Sequence, residues 1–246
     1  MKEVVEIIER KAEFSCASRP YLVKTEDGCL YFLKGLGALP RSQLCAEWLC
    51  AQMAKKLDIP VAPFELLNVP RELVEYAALN EEFAMRHGVA FGSQNEELAM
   101  SLPYAAIKNI PNELRWKILL FDWWIQNEDR TLGEKSGNVN LLWRSDTQNL
   151  VVIDHNLAFD PAFSEEKFFA THVFKNERKK IPREFLLEQI RRMDIMTDSF
   201  FALSEGLPDS WVEQLDNPGD YKPETVLAIL RRCSRLPDTF GDFHHE

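Results

Sequence analysis

Residues 121–159 read FDWWIQNEDRTLGEKSGNVNLLWRSDTQNLVVIDHNLAF, and this stretch decides the fold. It begins within an apolar helix pattern that starts at Asn112, directly after Pro111. Two short apolar strand patterns follow, at residues 139–143 and 150–153. Polar residues come directly before or after each element, so we expect their side chains to lie at the ends of buried elements and to project into a cleft.

Four oxygen-bearing side chains stand at these ends: Asp129, Asn138, Asn140 and Asp154. One carboxylate can orient an attacking hydroxyl, while an asparagine and the second carboxylate hold Mg²⁺, which prefers oxygen ligands. The structural alternatives are that Asp129 pairs with Arg130 or caps a turn, and that Asp154 caps the following segment. The order of these residues along the predicted elements favours a site for phosphoryl transfer.

Composition excludes several classes of protein. The chain has 246 residues, of which 46% are hydrophobic and 11% aromatic, enough for one large domain or two lobes. Its net charge of −10 argues against a nucleic-acid partner.

No apolar run approaches the roughly 20 residues of a membrane span, and acids occupy the positions where a signal peptide is basic and then apolar. Five cysteines without a C-x-x-C pair indicate neither a disulfide framework nor a structural zinc site. We expect a soluble, cytoplasmic protein.

Residues 1 to about 69 predict a small β-rich lobe with one helix, and the segment that follows is considered separately. Turn-forming residues at 25–28 lie between two apolar segments and indicate a hairpin. Residues 71–85 favour a helix, and residues 89–93 form either a strand or a connector between lobes. The remaining elements predicted before residue 70 are strands at 21–23, 30–33 and 64–69 and a helix at 41–57.

The C-terminal part predicts mainly helices, at residues 182–193, 195–205, 209–215 and 223–236. The whole pattern predicts an α+β class, with a β-rich N-terminal part and a helical C-terminal part, as one large domain or two lobes.

A lysine ends the second strand of the predicted hairpin, and an acid lies on the helix that follows. Lys34 comes directly after Tyr-Phe-Leu, and Glu47 stands at the edge of an apolar helix face, where a charge needs a partner. A lysine that grips phosphate and is held by a carboxylate would have this arrangement. The alternative is a solvated lysine at the end of a strand.

In this order, the segments resemble the HipA-like kinase family, which is distantly similar to the phosphatidylinositol kinases and shares the protein-kinase-like bilobal fold. The resemblance implies a bilobal fold, with a β-rich, nucleotide-binding lobe at residues 1–93 and a helical lobe with the catalytic and metal-binding loops at residues 94–246. It also implies transfer of the γ-phosphoryl group of ATP, with Mg²⁺, to a hydroxyl acceptor. A serine or threonine of a protein is the first expectation for that acceptor. The segments that carry the resemblance are Tyr31-Phe-Leu-Lys34, residues 47–61, Phe91-Gly-Ser93, Asn127-Glu-Asp-Arg130, Asn138-Val-Asn-Leu-Leu142 and Ile153-Asp-His155.

The resemblance also implies roles for single residues. Lys34 would contact the α- and β-phosphates of ATP and pair with Glu47, and Asp129 would orient the acceptor hydroxyl and take its proton. The nucleotide would also meet the segment Phe91-Gly92-Ser93, expected as the connector between lobes beside the adenine pocket. The chain has no G-x-G-x-x-G, so the loop that contains Ser18 and Arg19 is the candidate for covering the phosphates, with a plain surface turn as the alternative.

The metal site departs from the protein-kinase pattern. The resemblance implies that Asp154 binds Mg²⁺ together with an asparagine, either Asn140 or Asn138. Both asparagines lie farther from Asp129 than in the pattern H-R-D-x-x-x-x-N, so residues 131–136 look like a short insertion. Asn140 directly precedes a strand and is preferred, while Asn138 is the alternative by simple order.

Two other functions remain open. A catalytically silent pseudokinase would use the same fold as a nucleotide-binding or partner-binding module. A kinase of small molecules or lipids, or an AMP transferase, would use the same site on another acceptor or with another leaving group. ATP, Mg²⁺ and an unidentified hydroxyl-bearing substrate are the expected ligands.

Overall fold

The computed structural model describes residues 1–10, 20–78, 85–133, 137–213, 215, 217 and 219–241. The strands are β1 (Lys2–Arg10), β2 (Tyr21–Thr25), β3 (Leu30–Gly35), β4 (Phe64–Val69), β5 (Gly88–Gln94), β6 (Ala99–Ser101), β7 (Leu141–Arg144) and β8 (Asn149–Val152). The α-helices are α1 (Arg41–Lys56), α2 (Arg71–Ala78), α3 (Asn112–Trp124), α4 (Glu165–Thr171), α5 (Arg183–Asp198), α6 (Phe200–Ser204), α7 (Asp209–Val212), α8 (Pro223–Leu230) and α9 (Leu236–Phe240). Short 3₁₀ helices lie at Tyr104–Asn109, Lys175–Lys180 and Arg231–Arg235.

The chain divides into two compact units, and neither is one continuous segment. The first unit comprises Met1–Trp48, Ala62–Leu98 and Leu207–Tyr221, and the second comprises Leu49–Val61, Ala99–Gly206 and Lys222–Glu246. The predicted α+β class is confirmed, because both strands and helices are well represented. The expected single helix of the β-rich part is not what the structure has, since the first unit contains α2 and α7 in addition to the N-terminal part of α1.

The strands of the first unit form a closed barrel in the order β1-β2-β3-β5-β4. All neighbouring strands are antiparallel except β1 and β4, which run parallel. The predicted hairpin and the strand at 64–69 are confirmed as β2, β3 and β4. The barrel interior is filled by apolar side chains, namely Val4, Tyr21, Val23, Tyr31, Leu33, Leu67, Val69, Met85 and Ala90.

One glycine of β5 makes room for this interior. A Cβ atom on Gly92 would lie 2.8 Å from Cγ of Leu67 and 3.3 Å from Cδ1 of Tyr31, closer than side chains pack. Gly92 therefore faces the inside of the barrel, where its lack of a side chain lets Leu67 fill the core.

The second unit contains the antiparallel sheet β6-β7-β8 and most of the helices. The predicted strands at 139–143 and 150–153 are confirmed as β7 and β8, each displaced by one or two residues. Helix α3 buries Trp123 and Trp124, and Nε1 of Trp124 donates to the backbone oxygen of Leu230 at 2.6 Å. The predicted break near residue 194 is wrong, because α5 continues to Asp198 and presents Met193 and Met196 together to the core.

Within the described ranges, no helix has the length and apolar character that crossing a bilayer requires.

Candidate active site

The predicted lysine–glutamate pair is formed in the first unit. Leu33 points into the barrel, so alternation along β3 turns Lys34 to the outer surface of the barrel. Nζ of Lys34 donates to Oε1 of Glu47 on α1, and the two residues are only 7% and 2% exposed. The alternative of a solvated lysine at a strand end is therefore wrong. A buried ammonium held by a buried carboxylate is fixed in position more tightly than a surface lysine.

The segment Phe91-Gly92-Ser93 lies in the middle of β5 and is not a connector. Phe91 is the direct cross-strand partner of Lys34, so the two side chains share the outer surface of the barrel. Ser93, two residues along the strand, lies on the same surface, whereas Gly92 faces the interior. The Phe91 ring stacks on Phe64, with centroids 6.1 Å apart. Ser18 and Arg19 lie outside the described residues.

In the second unit, both predicted asparagines converge on the predicted catalytic carboxylate. Nδ2 of Asn138 and Nδ2 of Asn140 each donate to Oδ2 of Asp129 at 2.8 Å. The backbone N–H of Asp129 in turn donates to Oδ1 of Asn127 at 3.3 Å. Because each amide nitrogen faces the carboxylate, each amide oxygen is directed elsewhere and can serve as a metal ligand.

Asp129 is also electrostatically coupled to Asp154. Burial raises the pKa of the Asp129 carboxyl, the negative charge of Asp154 raises it further, and the two asparagine hydrogen bonds oppose both effects only in part. Like charges in one neighbourhood repel, and a divalent cation relieves that repulsion. Two carboxylates and two amides supply only oxygen ligands, which are the ligands that Mg²⁺ requires. The residues present therefore fit this cation.

The backbone is left-handed at both predicted metal ligands. The φ angle is 46° at Asn140 and 61° at Asp154, in a region that asparagine and aspartate enter more readily than other residues apart from glycine. The N–H of Ile153 donates to the backbone oxygen of Asn140 at 3.2 Å, which ties the two segments together.

A buried ionic network beneath this site was not predicted from the sequence. Nε of Arg130 donates to Oδ2 of Asp122 at 2.7 Å, so Arg130 does not form the pair with Asp129 that was the structural alternative. Asn127 and His172 also bond the Asp122 carboxylate, each at 3.0 Å. Burial opposes the charge on Asp122, but Arg130 and His172 hold the pKa of this carboxyl below its ordinary value. The signal in the sequence was an acid within the apolar run of α3, which demands a partner.

A second acid missed from the sequence holds the segment after β8 in place. The carboxylate of Glu128 accepts a hydrogen bond from the backbone N–H of Ser164, the residue that caps α4. Its other oxygen lies 2.8 Å from Nζ of Lys167. Because Glu128 directly precedes Asp129, the start of α4 is fastened beside the candidate catalytic residue.

Comparisons with known proteins bear on the family and the fold of the chain. The profile of the family described as HipA-like kinase matches residues 4–240. The proinflammatory kinase CtkA of Helicobacter pylori is similar in structure, with a TM-score of 0.57 and 10% identity over 96% of this chain and 92% of that one. The FAT and kinase domain of CtTel1 aligns more weakly, with a TM-score of 0.32 and 14% identity over 88% of this chain and 20% of that one. No curated protein sequence matches. The fold is that of a kinase, and the chain belongs to the HipA-like kinase family.

Proposed function

We propose that the protein transfers the γ-phosphoryl group of ATP, with Mg²⁺, to a hydroxyl acceptor, with a serine or threonine of a protein as the first expectation. The observation that carries this proposal is the convergence of Asn138 and Asn140 on Asp129, with Asp154 close enough to perturb the same carboxyl. Phosphoryl transfer depends mainly on positioning and charge neutralisation, and this constellation provides both.

Asp129 acts on the acceptor in this proposal. Its Oδ2 atom already accepts two amide hydrogen bonds, so Oδ1 is the atom that receives the hydrogen bond of the incoming hydroxyl. The amides fix the orientation of the carboxylate before the acceptor arrives. The raised pKa makes Asp129 a better proton acceptor than a solvated carboxylate.

Asn140 and Asp154 hold the cation, and Lys34 holds the nucleotide. Bound Mg²⁺ neutralises charge on the phosphates as it develops. Lys34 contacts the α- and β-phosphates, and Glu47 keeps the ammonium in place. Phe91 and Ser93 share the surface of Lys34 and border the adenine, while Gly92 acts through barrel packing. A contact from the loop with Ser18 and Arg19 stays a prediction from the sequence.

Label transfer from ATP tests the proposal. Purified protein is incubated with γ-labelled ATP and Mg²⁺, alone and with a generic acceptor protein, and compared with Asp129→Ala, Asp154→Ala and Asp146→Ala. Asp146 is exposed and pairs with Arg144 on the β7–β8 hairpin, so its variant is the matched control. Loss of transfer in the first two variants only would support the enzyme. Unchanged transfer in Asp129→Ala would overturn the role given to that residue.

Two outcomes would favour the other functions. Binding of ATP by the wild-type protein without any transfer would indicate a pseudokinase module. Transfer of label from α-labelled but not γ-labelled ATP would indicate an AMP transferase. Label found on a small molecule or lipid, and on no serine or threonine by mass spectrometry, would change the acceptor class and leave the phosphotransferase chemistry intact.

A further inference from the structure

The guanidinium of Arg130 contacts both the carboxylate of Asp122 and the backbone beside the two proposed metal ligands. Its Nε and Nη2 atoms lie 2.7 and 3.4 Å from the two carboxylate oxygens of Asp122. Its Nη1 atom donates to the backbone oxygen of Asn140 and to that of Ile153, the latter at 3.3 Å. The side chain is wholly excluded from solvent.

These two backbone oxygens occupy informative positions. One belongs to Asn140, whose amide is the proposed metal ligand, and the other belongs to the residue directly before Asp154. Both proposed ligands have positive φ angles, and such conformations persist only where surrounding contacts hold them. A charged donor makes stronger hydrogen bonds than a neutral one, so Nη1 is well suited to hold both backbone segments.

The positive charge of Arg130 is stabilised by the Asp122 carboxylate. Asp122 is fully buried, and its carboxylate also accepts hydrogen bonds from Asn127 and His172. All of these side chains lie away from solvent, so their geometry is fixed by packing and not by water. The planar guanidinium therefore links the core of α3 to the segments directly before β7 and directly after β8, which contain the proposed ligands.

We propose that Arg130, held by Asp122, is a positioning residue that sets the spacing and orientation of Asn140 and Asp154 for Mg²⁺. The inference rests on the proposed function for its cation and extends it to a residue that contacts neither metal nor substrate. A planar guanidinium bonds one carboxylate and two backbone oxygens at once. A lysine at the same place keeps the charge but cannot keep this geometry.

Arg130→Lys tests the inference, with Arg144→Lys on the exposed β7–β8 hairpin as the matched control. In the full-length protein, the Mg²⁺ concentration for half-maximal label transfer should rise by about 10-fold to 100-fold, which is the usual cost of losing an outer-shell partner. Turnover at saturating Mg²⁺ should fall much less. A purely structural role would lower activity without moving the metal requirement, so an unchanged half-saturation would overturn the inference.

Metal binding without turnover separates this inference from the proposed function. Binding of Mn²⁺ is measured by electron paramagnetic resonance in the presence of a non-hydrolysable ATP analogue, for the wild type and both variants. If the wild type binds Mn²⁺ but transfers no label, the kinase proposal fails, while weaker Mn²⁺ binding by Arg130→Lys would still support the positioning role. Equal Mn²⁺ affinity in the wild type and Arg130→Lys, or no binding by the wild type, would overturn it.

A second variant covers the case in which Arg130→Lys does not fold. Asp122→Glu keeps both charges but moves the carboxylate by one methylene, which displaces the guanidinium. The same rise in half-saturating Mg²⁺, or the same loss of Mn²⁺ affinity, is expected. Native metal dependence in a folded Asp122→Glu protein would count against the inference.

Discussion

Nε of Arg130 lies 2.7 Å from Oδ2 of Asp122, and both side chains are completely buried. Removal of one member of such a pair leaves the other as an uncompensated charge in the protein interior. We therefore expect Asp122→Ala to lower the free energy of unfolding by about 3–5 kcal/mol. Urea denaturation followed by tryptophan fluorescence measures this loss.

The matched comparison is Asp146→Ala, which removes an exposed partner of Arg144. Exposed ion pairs contribute little to stability, so its unfolding midpoint should stay at the wild-type value. Equal midpoints for all three proteins would show that the Asp122 pair does not stabilise the second unit.

The pH dependence of stability should report on His172. Its Nδ1 accepts the N–H of Phe174 at 3.1 Å, so Nε2 carries the proton and faces Asp122, and the ring is neutral. Burial lowers the pKa of His172 below its ordinary value of 6.5, although Asp122 opposes the shift. Below about pH 6.5 the imidazole of His172 binds a proton in the unfolded chain but not in the native protein. The free energy of unfolding should therefore fall as the pH falls, by up to about 1.4 kcal/mol per pH unit.

The free energy of unfolding of the wild type and of His172→Gln is measured between pH 7.5 and pH 5, in steps of about half a pH unit. The difference between the two proteins isolates this contribution. The variant should lose stability less steeply. His87→Gln removes an exposed histidine and should keep the wild-type slope. Identical slopes for the wild type and His172→Gln would contradict the neutral, buried ring.

The buried pair of Lys34 and Glu47 predicts a divergence between stability and nucleotide binding. Either Lys34→Met or Glu47→Met leaves one charge in the interior without the other and should cost about 3–5 kcal/mol of stability. The double variant removes both charges and should recover most of that loss. ATP affinity, measured by calorimetry, should remain low in the double variant because the phosphate-binding ammonium is absent. Recovery of ATP affinity together with stability would refute a phosphate contact by Lys34.

Local patterns predicted the elements that local chemistry determines. The Thr25-Glu-Asp-Gly28 turn predicted the β2–β3 hairpin, and Pro111 with the apolar face predicted α3. The combination of strand-end Lys34 with Glu47 at an apolar helix edge predicted the buried pair. In each case the signal lies within a few residues or in the need of a charge near an apolar face for a partner.

Features that depend on distant segments were missed. Barrel closure needs β1 to run parallel to β4, and nothing within residues 2–10 specifies that partner. The pairing of Arg130 was equally hidden. Adjacent Asp129 is the obvious partner along the sequence, but the helix places Asp122 against the guanidinium and leaves Asp129 to the asparagines. The choice follows from burial: Asp122 lies inside α3 and has no water to stabilise its charge.

The close approach at Gly92 predicts a packing conflict in the barrel. Gly92→Ala places a methyl group against Leu67 and should cost about 1–3 kcal/mol by overpacking. The same substitution should cost less in a Leu67→Ala background, where space is available, and this difference is the coupling energy of a double-mutant cycle. Ser93→Ala, on the outer surface next along the strand, is the control and should be nearly neutral. Equal costs in both backgrounds would show that Leu67 is not the obstacle.

Asn138 and Asn140 offer a matched pair for finding the metal ligand. Each donates one hydrogen bond of 2.8 Å to Oδ2 of Asp129, so Asn138→Ala and Asn140→Ala remove the same support from the catalytic carboxylate. They differ in the rest of their surroundings. Asn140 is buried, directly precedes β7 and has its backbone oxygen bound by Arg130, whereas Asn138 is more exposed.

We therefore expect Asn140→Ala to raise the Mg²⁺ concentration for half-maximal activity by more than about 10-fold, since even an outer-shell loss costs that much. Asn138→Ala should lower turnover to a similar extent through Asp129 while it leaves the metal requirement close to the wild type. Titration of both variants with Mg²⁺ at fixed ATP distinguishes them, because the shared effect on Asp129 cancels in the comparison. A larger rise in half-saturating Mg²⁺ for Asn138→Ala than for Asn140→Ala would make Asn138 the ligand. The positive φ of Asn140 would then be a feature of the fold and not of the metal site.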